Sequence, residues 1–459
     1  MKRTYTCGFA VVAAALAGGA VLACSDDSRV ISSDHEDAAA PPASTSSETT
    51  SDGSAPPPAQ KPPFDPADES VACAQEPCAV ELVAGENHFC ARMSSGAIRC
   101  WGANGAGVLG RAPSPDDPPS VGTIEGPSGT KQLSAGGTTT CALASDDTVH
   151  CWGNNSDGLL GLQADTVVAD GDAHPSPTPV ALPGPAVRVD IGPRTGCAIL
   201  AIGQTWCWGY NGTAQLGRPT TETLGAPALT PLAGLRAVRT AHGSYTSLAV
   251  TEDGEVVSWG TVGGARANLS GRMASMELDP NPLSIGLGKV TRLAVSSSTE
   301  VQAPYPRPVE VYGHACAVAG GDAYCWGRSQ YAALGTGSPD ISLRPQKTGV
   351  ETGRAWIQQV AVGGETTCIR LTNGAVQCAG DNRFGTLGIG DDAGAKFSMA
   401  FRPATELDAH AVGIAVTRSA VCALLKTGQV TCWGANDAGQ LGQGTKDDEP
   451  HGAPVTVKF

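Results

Sequence analysis

From about residue 79 onward, short apolar and β-branched runs alternate with polar turns that carry glycine, and the alternation recurs as a unit. Each unit keeps one order: a β-type run, a Gly, a Cys-Ala-x segment, a Gly turn, a Cys-Trp-Gly, an Asn-x-x-Gly-x-Leu-Gly stretch and a Pro-x-x-Val run. The last copy is the fullest, with Val421-Cys422-Ala423-Leu424, Gly428, Cys432-Trp433-Gly434, Asn436, Gly439, Leu441-Gly442, Pro454 and Val457. The Trp-Gly pair starts at Trp101, Trp152, Trp208, Trp259, Trp326 and Trp433, and Ala379-Gly380 is a degenerate seventh member. Intervals of 51 to 67 residues exceed most helical repeats and suit a four-stranded blade. With 59 Gly and 33 Pro among 459 residues, long helices have little room, because both residues weaken a helix interior. The pattern predicts an all-β chain of seven units, each near the size of a propeller blade.

The cysteines set the register independently. Beyond residue 24 there are fourteen, and twelve form pairs inside the repeats: Cys90 with Cys100, Cys141 with Cys151, Cys197 with Cys207, Cys316 with Cys325, Cys368 with Cys378 and Cys422 with Cys432. Five pairs are ten apart. If the partners face each other on a hairpin, this leaves a three-residue loop such as Ser94-Ser95-Gly96, whose third residue needs the left-handed conformation that glycine favours. Gly203, Gly374 and Gly428 hold the same place, and Asp147 replaces glycine in unit two. Cys316 and Cys325 are nine apart, leaving the two-residue loop Gly320-Gly321, which suits a tight hairpin. Both counts put the cysteines at a non-hydrogen-bonded rung, with Cα atoms about 4.5 Å apart and within disulfide reach. Six intra-hairpin disulfides are predicted, and Cys73 and Cys78 are expected to close the small loop between them. Unit four lacks both partners and carries Leu248 and Ser258, as a pairwise bond requires. No Cys-x-x-Cys occurs, so zinc is not favoured and neither metal nor cofactor is predicted.

So many cysteines shift attention to the export route, because disulfides persist in oxidising compartments. Met1-Lys2-Arg3 followed by an Ala/Val/Leu/Gly-rich stretch to Ala23 has the order of a signal peptide, over residues 1–23. Val21-Leu22-Ala23-Cys24 resembles a bacterial lipobox. That implies acylation of Cys24 and membrane attachment through the lipid alone, and Ser25 in place of Asp fits sorting to the outer membrane. Residues 25–70 hold eight prolines, ten acidic residues, two basic ones and one aromatic. Such a composition cannot bury enough apolar surface to fold, so 24–70 is expected to be a disordered acidic tether and 71–459 the propeller. The net charge of −14 argues against nucleic acid as a partner.

The repeats resemble those of the regulator of chromosome condensation family over about residues 79 to 459. Leu248-Ala249-Val250-Thr251-Glu252-Asp253-Gly254-Glu255-Val256 and Asn211-Gly212-Thr213-Ala214-Gln215-Leu216-Gly217 lie close to the family pattern. The resemblance implies a seven-bladed propeller in which the six Trp-Gly tryptophans pack between blades. The cysteine pairs depart from the pattern and suggest an exported bacterial branch, and unit six lacks its Trp. Ring closure requires the C-terminal run Val455 to Val457 to lie near the first blade, leaving no open edge.

No catalytic constellation stands out. His88 and His314 each precede the first hairpin cysteine of their unit by two residues, so repeat position accounts for them. The acidic runs Asp391-Asp392 and Asp447-Asp448-Glu449 are expected as solvated loops. A propeller fold leaves function open. The favoured expectation is a monomeric, non-enzymatic cell-envelope lipoprotein that binds a protein or glycan partner. The longest interval, Trp259 to Trp326, loses the Asn-x-x-Gly-x-Leu-Gly turn and adds residues 296–310. Tyr305 and Arg307 there are the candidate partner rim, since aromatic and Arg side chains favour hot spots. A propeller β-lactamase inhibitor is the alternative, and guanine-nucleotide exchange, as in the namesake eukaryotic member, fits an exported acidic protein less well.

Overall fold

The computed structural model describes residues 61–459 apart from 74, 115–118, 128, 164–165, 222, 230–234, 264–268, 274–276, 302–309, 339–340 and 391–393. Cys24, Tyr305, Arg307 and the run Asp391-Asp392 therefore lie outside the described residues. The described residues form seven antiparallel sheets, six of four strands and one of five. The blades run from Ala79 to Ile124, Gln132 to Pro179, Ala186 to Leu229, Ala237 to Ser284, Val290 to Lys347, Ile357 to Pro403 and Ala411 to Thr456. In each, the first strand lines the channel and packs against the first strands of the neighbouring blades.

The hairpin register follows from the loops. Cys90 faces Cys100, Cys141 faces Cys151 and Cys197 faces Cys207. Cys316 faces Cys325 across the shorter loop, Cys368 faces Cys378, Cys422 faces Cys432, and in blade four Leu248 faces Ser258. Gly96, Asp147, Gly203, Gly254, Gly374 and Gly428 have φ between 67° and 86°, the left-handed value the third loop residue requires. Cα separations are 4.0–4.1 Å in the six cysteine pairs of the hairpins and 5.8 Å between Cys73 and Cys78. All seven pairs stand at disulfide distance.

Blades adhere through the tryptophans, all six of the Trp-Gly pairs being fully buried. Each indole Nε1 donates to a carbonyl in the turn of the preceding blade: Trp152 to Val108, Trp208 to Leu159, Trp259 to Gln215, Trp326 to Leu269 and Trp433 to Thr386, at 2.8–2.9 Å. Trp101 closes the circle on Gln440 at 2.9 Å. An aromatic buries about 150–250 Å², so each seam gains several kcal/mol of apolar burial at about 25 cal/mol per Å². The turn that presents the carbonyl is held by its Asn, whose Oδ1 accepts from the Leu amide five residues on: Asn104 from Leu109 at 3.0 Å, Asn436 from Leu441 at 3.3 Å.

Three expectations change. The end of the blade-four turn keeps its role although its motif is lost: Leu269, three residues farther from its Trp-Gly than Val108 is in blade one, supplies the carbonyl for Trp326, Ser270 replaces the turn leucine, and Gly271 has the left-handed φ of 67°. The run Asp447-Asp448-Glu449 is no free loop. It opens the outer strand Asp447–Thr456, where Asp447 accepts from Asn436 at 2.7 Å and shares a hydrogen bond with His451 at 2.6 Å. The tether read as far as residue 70 is docked at its end, with residues 61–70 in contact with the propeller. Its few anchoring side chains, Phe64 among them, do not raise the mean hydropathy of a Pro- and Asp-rich segment enough to be seen.

The ring closes without strand exchange, because blade seven contains all four of its own strands. Val457 and Leu441 pack in one cluster with Trp101 and Phe89, and Phe459 meets the Trp101 ring edge-on at 5.6 Å. The amides of Ala79 and Arg418 donate to the carbonyls of Gly428 and Glu86 at 2.8 and 2.7 Å, which seals the seam between the last blade and the first.

Candidate functional site: the channel and its two mouths

Seven first strands meeting at a narrow axis must satisfy polar edges with little space, and side chains of one blade take backbone groups of the next. Glu81 accepts from the Leu133 amide at 3.2 Å; Gln132 exchanges two bonds with Val189 at 2.8 and 3.1 Å. Asp190 accepts from the Thr240 amide at 2.8 Å, and Gln359 exchanges two bonds with Ile414 at 2.8 and 3.0 Å. Glycine permits the close approach at the strand ends. A Cβ on Gly192 would stand 2.4 Å from that of His242, and one on Gly363 2.2 Å from the Thr417 carbonyl oxygen.

The channel encloses about 400 Å³ and is lined by residues such as Glu81, Asp190, His242, Ser298 and Arg418. Its electrostatics are set by burial and pairing. Burial raises the Glu81 carboxyl, against the pull of Arg92 at 2.9 Å. Burial would also raise Asp190, but the charge and hydrogen bonds of Arg188 and the Thr240 amide outweigh it and leave this carboxyl below its ordinary value. His242 is pushed down to about 4 by burial, and its two ring nitrogens meet Ser247 Oγ at 2.9 Å and Thr240 Oγ1 at 3.0 Å. A neutral imidazole held between two hydroxyls is a wall group, with no substrate-facing nitrogen left for proton transfer.

His88 and His314 sit away from the channel, at equivalent places in blades one and five. Their Nε2 atoms share hydrogen bonds with Thr140 and Thr367 of the next blade at 2.8 and 2.7 Å, and burial lowers both to about 4. They are seam residues. The paired cysteines, from Cys90 to Cys432, are equally buried and face each other within single blades.

The two mouths differ. Residues 61–72 pack at the mouth beside the cysteine hairpins, against blades five to seven. Lys61 donates to Thr352 at 3.1 Å, Trp356 Nε1 donates to the Pro62 carbonyl at 2.7 Å, and Gln358 donates to the Ala67 carbonyl. Asp68 binds Arg292, Glu69 binds His410 and Lys426 at 3.1 and 2.9 Å, and the Ala72 amide donates to the Lys426 carbonyl. The opposite mouth carries the turns between first and second strands. In blade five the connection there is the inserted one: Ser297 and Ser298 line the channel, and the strand Thr299–Val301 pairs with the start of Glu310–Ala319. Sequence reasoning found this insertion and missed the strap.

Comparison with known proteins agrees with this architecture. Profiles described as Regulator of chromosome condensation (RCC1) repeat match residues 79–108, 131–159, 357–386 and 411–440, and also 320–369 and 427–459. The Ultraviolet-B receptor UVR8 of Arabidopsis thaliana is 30% identical over 336 residues, 71% of this chain and 69% of the receptor. The chain belongs to the RCC1 repeat family. The E3 ubiquitin-protein ligase HERC2 of Mus musculus is 28% identical over 322 residues, 69% of this chain, but this spans 6% of that protein's length. Among solved RCC1-type structures, Prp20p from Saccharomyces cerevisiae has a TM-score of 0.62 at 19% identity, covering 85% of this chain and 90% of that one. At that identity the likeness speaks for the fold alone.

Proposed function

We propose that this RCC1-repeat propeller is a non-catalytic, monomeric interaction scaffold, exported and held at the bacterial cell envelope by a lipid on Cys24. A protein or glycan partner engages the open mouth, with Tyr305 and Arg307 of the inserted segment among the contacts. The observation that carries this reading is an asymmetry among the described residues: residues 61–72 pack at one mouth, and the other has no such segment and is flanked by the ends of the insertion. The His242 environment argues for binding over proton-transfer chemistry. The seven cysteine pairs at disulfide distance support an oxidising compartment. Prp20p, whose structure was described with its binding to Gsp1p and histones, is a precedent for a protein partner on this fold, while the net charge of −14 disfavours nucleic acid.

Crosslinking capture from envelope extract tests the reading, using the full chain, the double variant Tyr305→Ala with Arg307→Ala, and a chain lacking residues 302–309. A partner captured by the full chain and lost from both variants is expected. Recovery of the same partner by all three removes the open-mouth assignment.

A further inference from the structure

The strap-covered mouth holds more positive charge than its own residues balance. Arg188 is taken by Asp190, through bonds of 2.8 and 2.7 Å, and Arg292 is taken by Asp68. Glu81 is engaged by Arg92, and Glu69 by His410 and Lys426. Two guanidiniums remain. Arg370 has no exposed side-chain surface, lies 3.9 Å from Asp68, and none of its three nitrogens has a hydrogen-bond partner among the described residues. At the equivalent place most blades carry an aliphatic residue, Leu143, Ile199, Val250, Val318 or Leu424, and blade one carries Arg92 with its own partner Glu81. Arg239 lies within electrostatic reach of Arg188, Arg292, Asp190 and Asp68, so its neighbours offer two carboxylates that two other arginines already hold.

A buried guanidinium with no acceptor is costly, and its planar fork of donors matches a tetrahedral or planar oxyanion. Two surplus charges call for a dianion, which a phosphate group approaches at neutral pH. We propose that Arg239, Arg292 and Arg370 form a binding site for a phosphate group at the strap-covered mouth of the channel. In this site Asp68 is the chain's own carboxylate on Arg292, and it competes with the bound phosphate. The strap lies over the site, with Asp68 and the Pro66 carbonyl on Arg292, so a phosphate enters by displacing Asp68. The site is separate from the open mouth, and its failure would leave the partner reading untouched.

Titration calorimetry of the full chain with potassium phosphate, against potassium chloride at equal ionic strength, tests it. Saturable binding to phosphate alone is expected, weakened at least tenfold by Arg370→Met and by Arg239→Met. Asp68→Asn is expected to tighten it several-fold by removing the competing charge. Glycerol 3-phosphate in a second arm separates the two sources: binding to wild type assigns an ester, binding only to inorganic phosphate a free ion. Arg370→Met keeps the apolar stem and is expected to melt in chloride at or above the wild-type temperature, so lost binding cannot be lost folding. No saturable signal from either probe in wild type and Asp68→Asn, or wild-type affinity in Arg370→Met, overturns the proposal.

Discussion

Blade six lacks the seam tryptophan, and the structure identifies its replacement. Ala379 occupies the Trp position, fully buried, and Phe401 from the outer strand of the same blade packs with it and with Leu334 of blade five. The turn glycines show what Phe401 fills. A Cβ on Gly388 would meet Trp433 Nε1 at 3.1 Å and one on Gly271 would meet Trp326 Nε1 at 3.2 Å, whereas on Gly335 it would meet Phe401 Cε2 at 2.2 Å. Phe401 therefore stands in for the missing indole. At 8% exposure, Phe401→Ala is expected to cost about 3–4 kcal/mol, from lost transfer energy and the cavity left beside Ala379. Ala379→Trp alone overfills the same space and costs about 1–3 kcal/mol. Together they restore the arrangement of the other six seams, and the double variant is expected to recover about 2 kcal/mol relative to additivity. Per-residue unfolding entropy near 2.1 cal/mol/K over roughly 400 residues converts the single Phe loss to a fall of about 4–5 °C in Tm. Scanning calorimetry of the four proteins reads these values. A loss below about 1 kcal/mol for Phe401→Ala, or strict additivity in the cycle, refutes the substitution of one aromatic for the other.

Three further outcomes follow from other parts of the ring. Non-reducing peptide mapping of the protein produced in an oxidising compartment is expected to show seven linked cysteine pairs. The double variant Cys197→Leu with Cys207→Ser, copied from blade four, is expected to lose at most about 2–3 kcal/mol, because a ten-residue hairpin loop constrains the unfolded chain only modestly; free thiols in the mapped protein would contradict the pairing. The buried histidines make stability depend on pH. With folded values near 4 against 6.5 for His88, His242 and His314, the unfolded chain takes up protons first. Their contribution is complete above pH 6.5 and is lost as pH falls toward 4, by up to about 3 kcal/mol each. Melting temperature between pH 7 and 4.5 should therefore fall, and His88→Gln with His314→Gln should flatten the curve; an unchanged slope would show that these rings are not held neutral.

Periodicity carried the fold because a propeller is a local structure repeated. Hairpin loop length, the left-handed glycine and the facing cysteines all lie within about ten residues, so Gly96, Gly320-Gly321 and the pair Cys90 and Cys100 reveal their geometry in one dimension. The recurrence of Trp-Gly likewise marked the seam, since a residue kept by position in nearly every unit packs the same way in each. What escaped were substitutions made across space. Phe401 supplies, from a different strand, the ring that Ala379 lacks, and Leu269 and Gly271 preserve a turn whose spacing had shifted by three residues. The strap belongs to the same class: Phe64, Asp68 and Glu69 find Trp356, Arg292 and Lys426 more than 200 residues away. A Pro- and Asp-rich segment looks unfolded by composition, because composition counts the apolar surface a segment carries and not the surface it can borrow. Sequence alone thus determined the blades and the facing cysteines of their hairpins. Only the closed ring decided which charged side chains lack partners, because that depends on strands brought together around an axis no local pattern records.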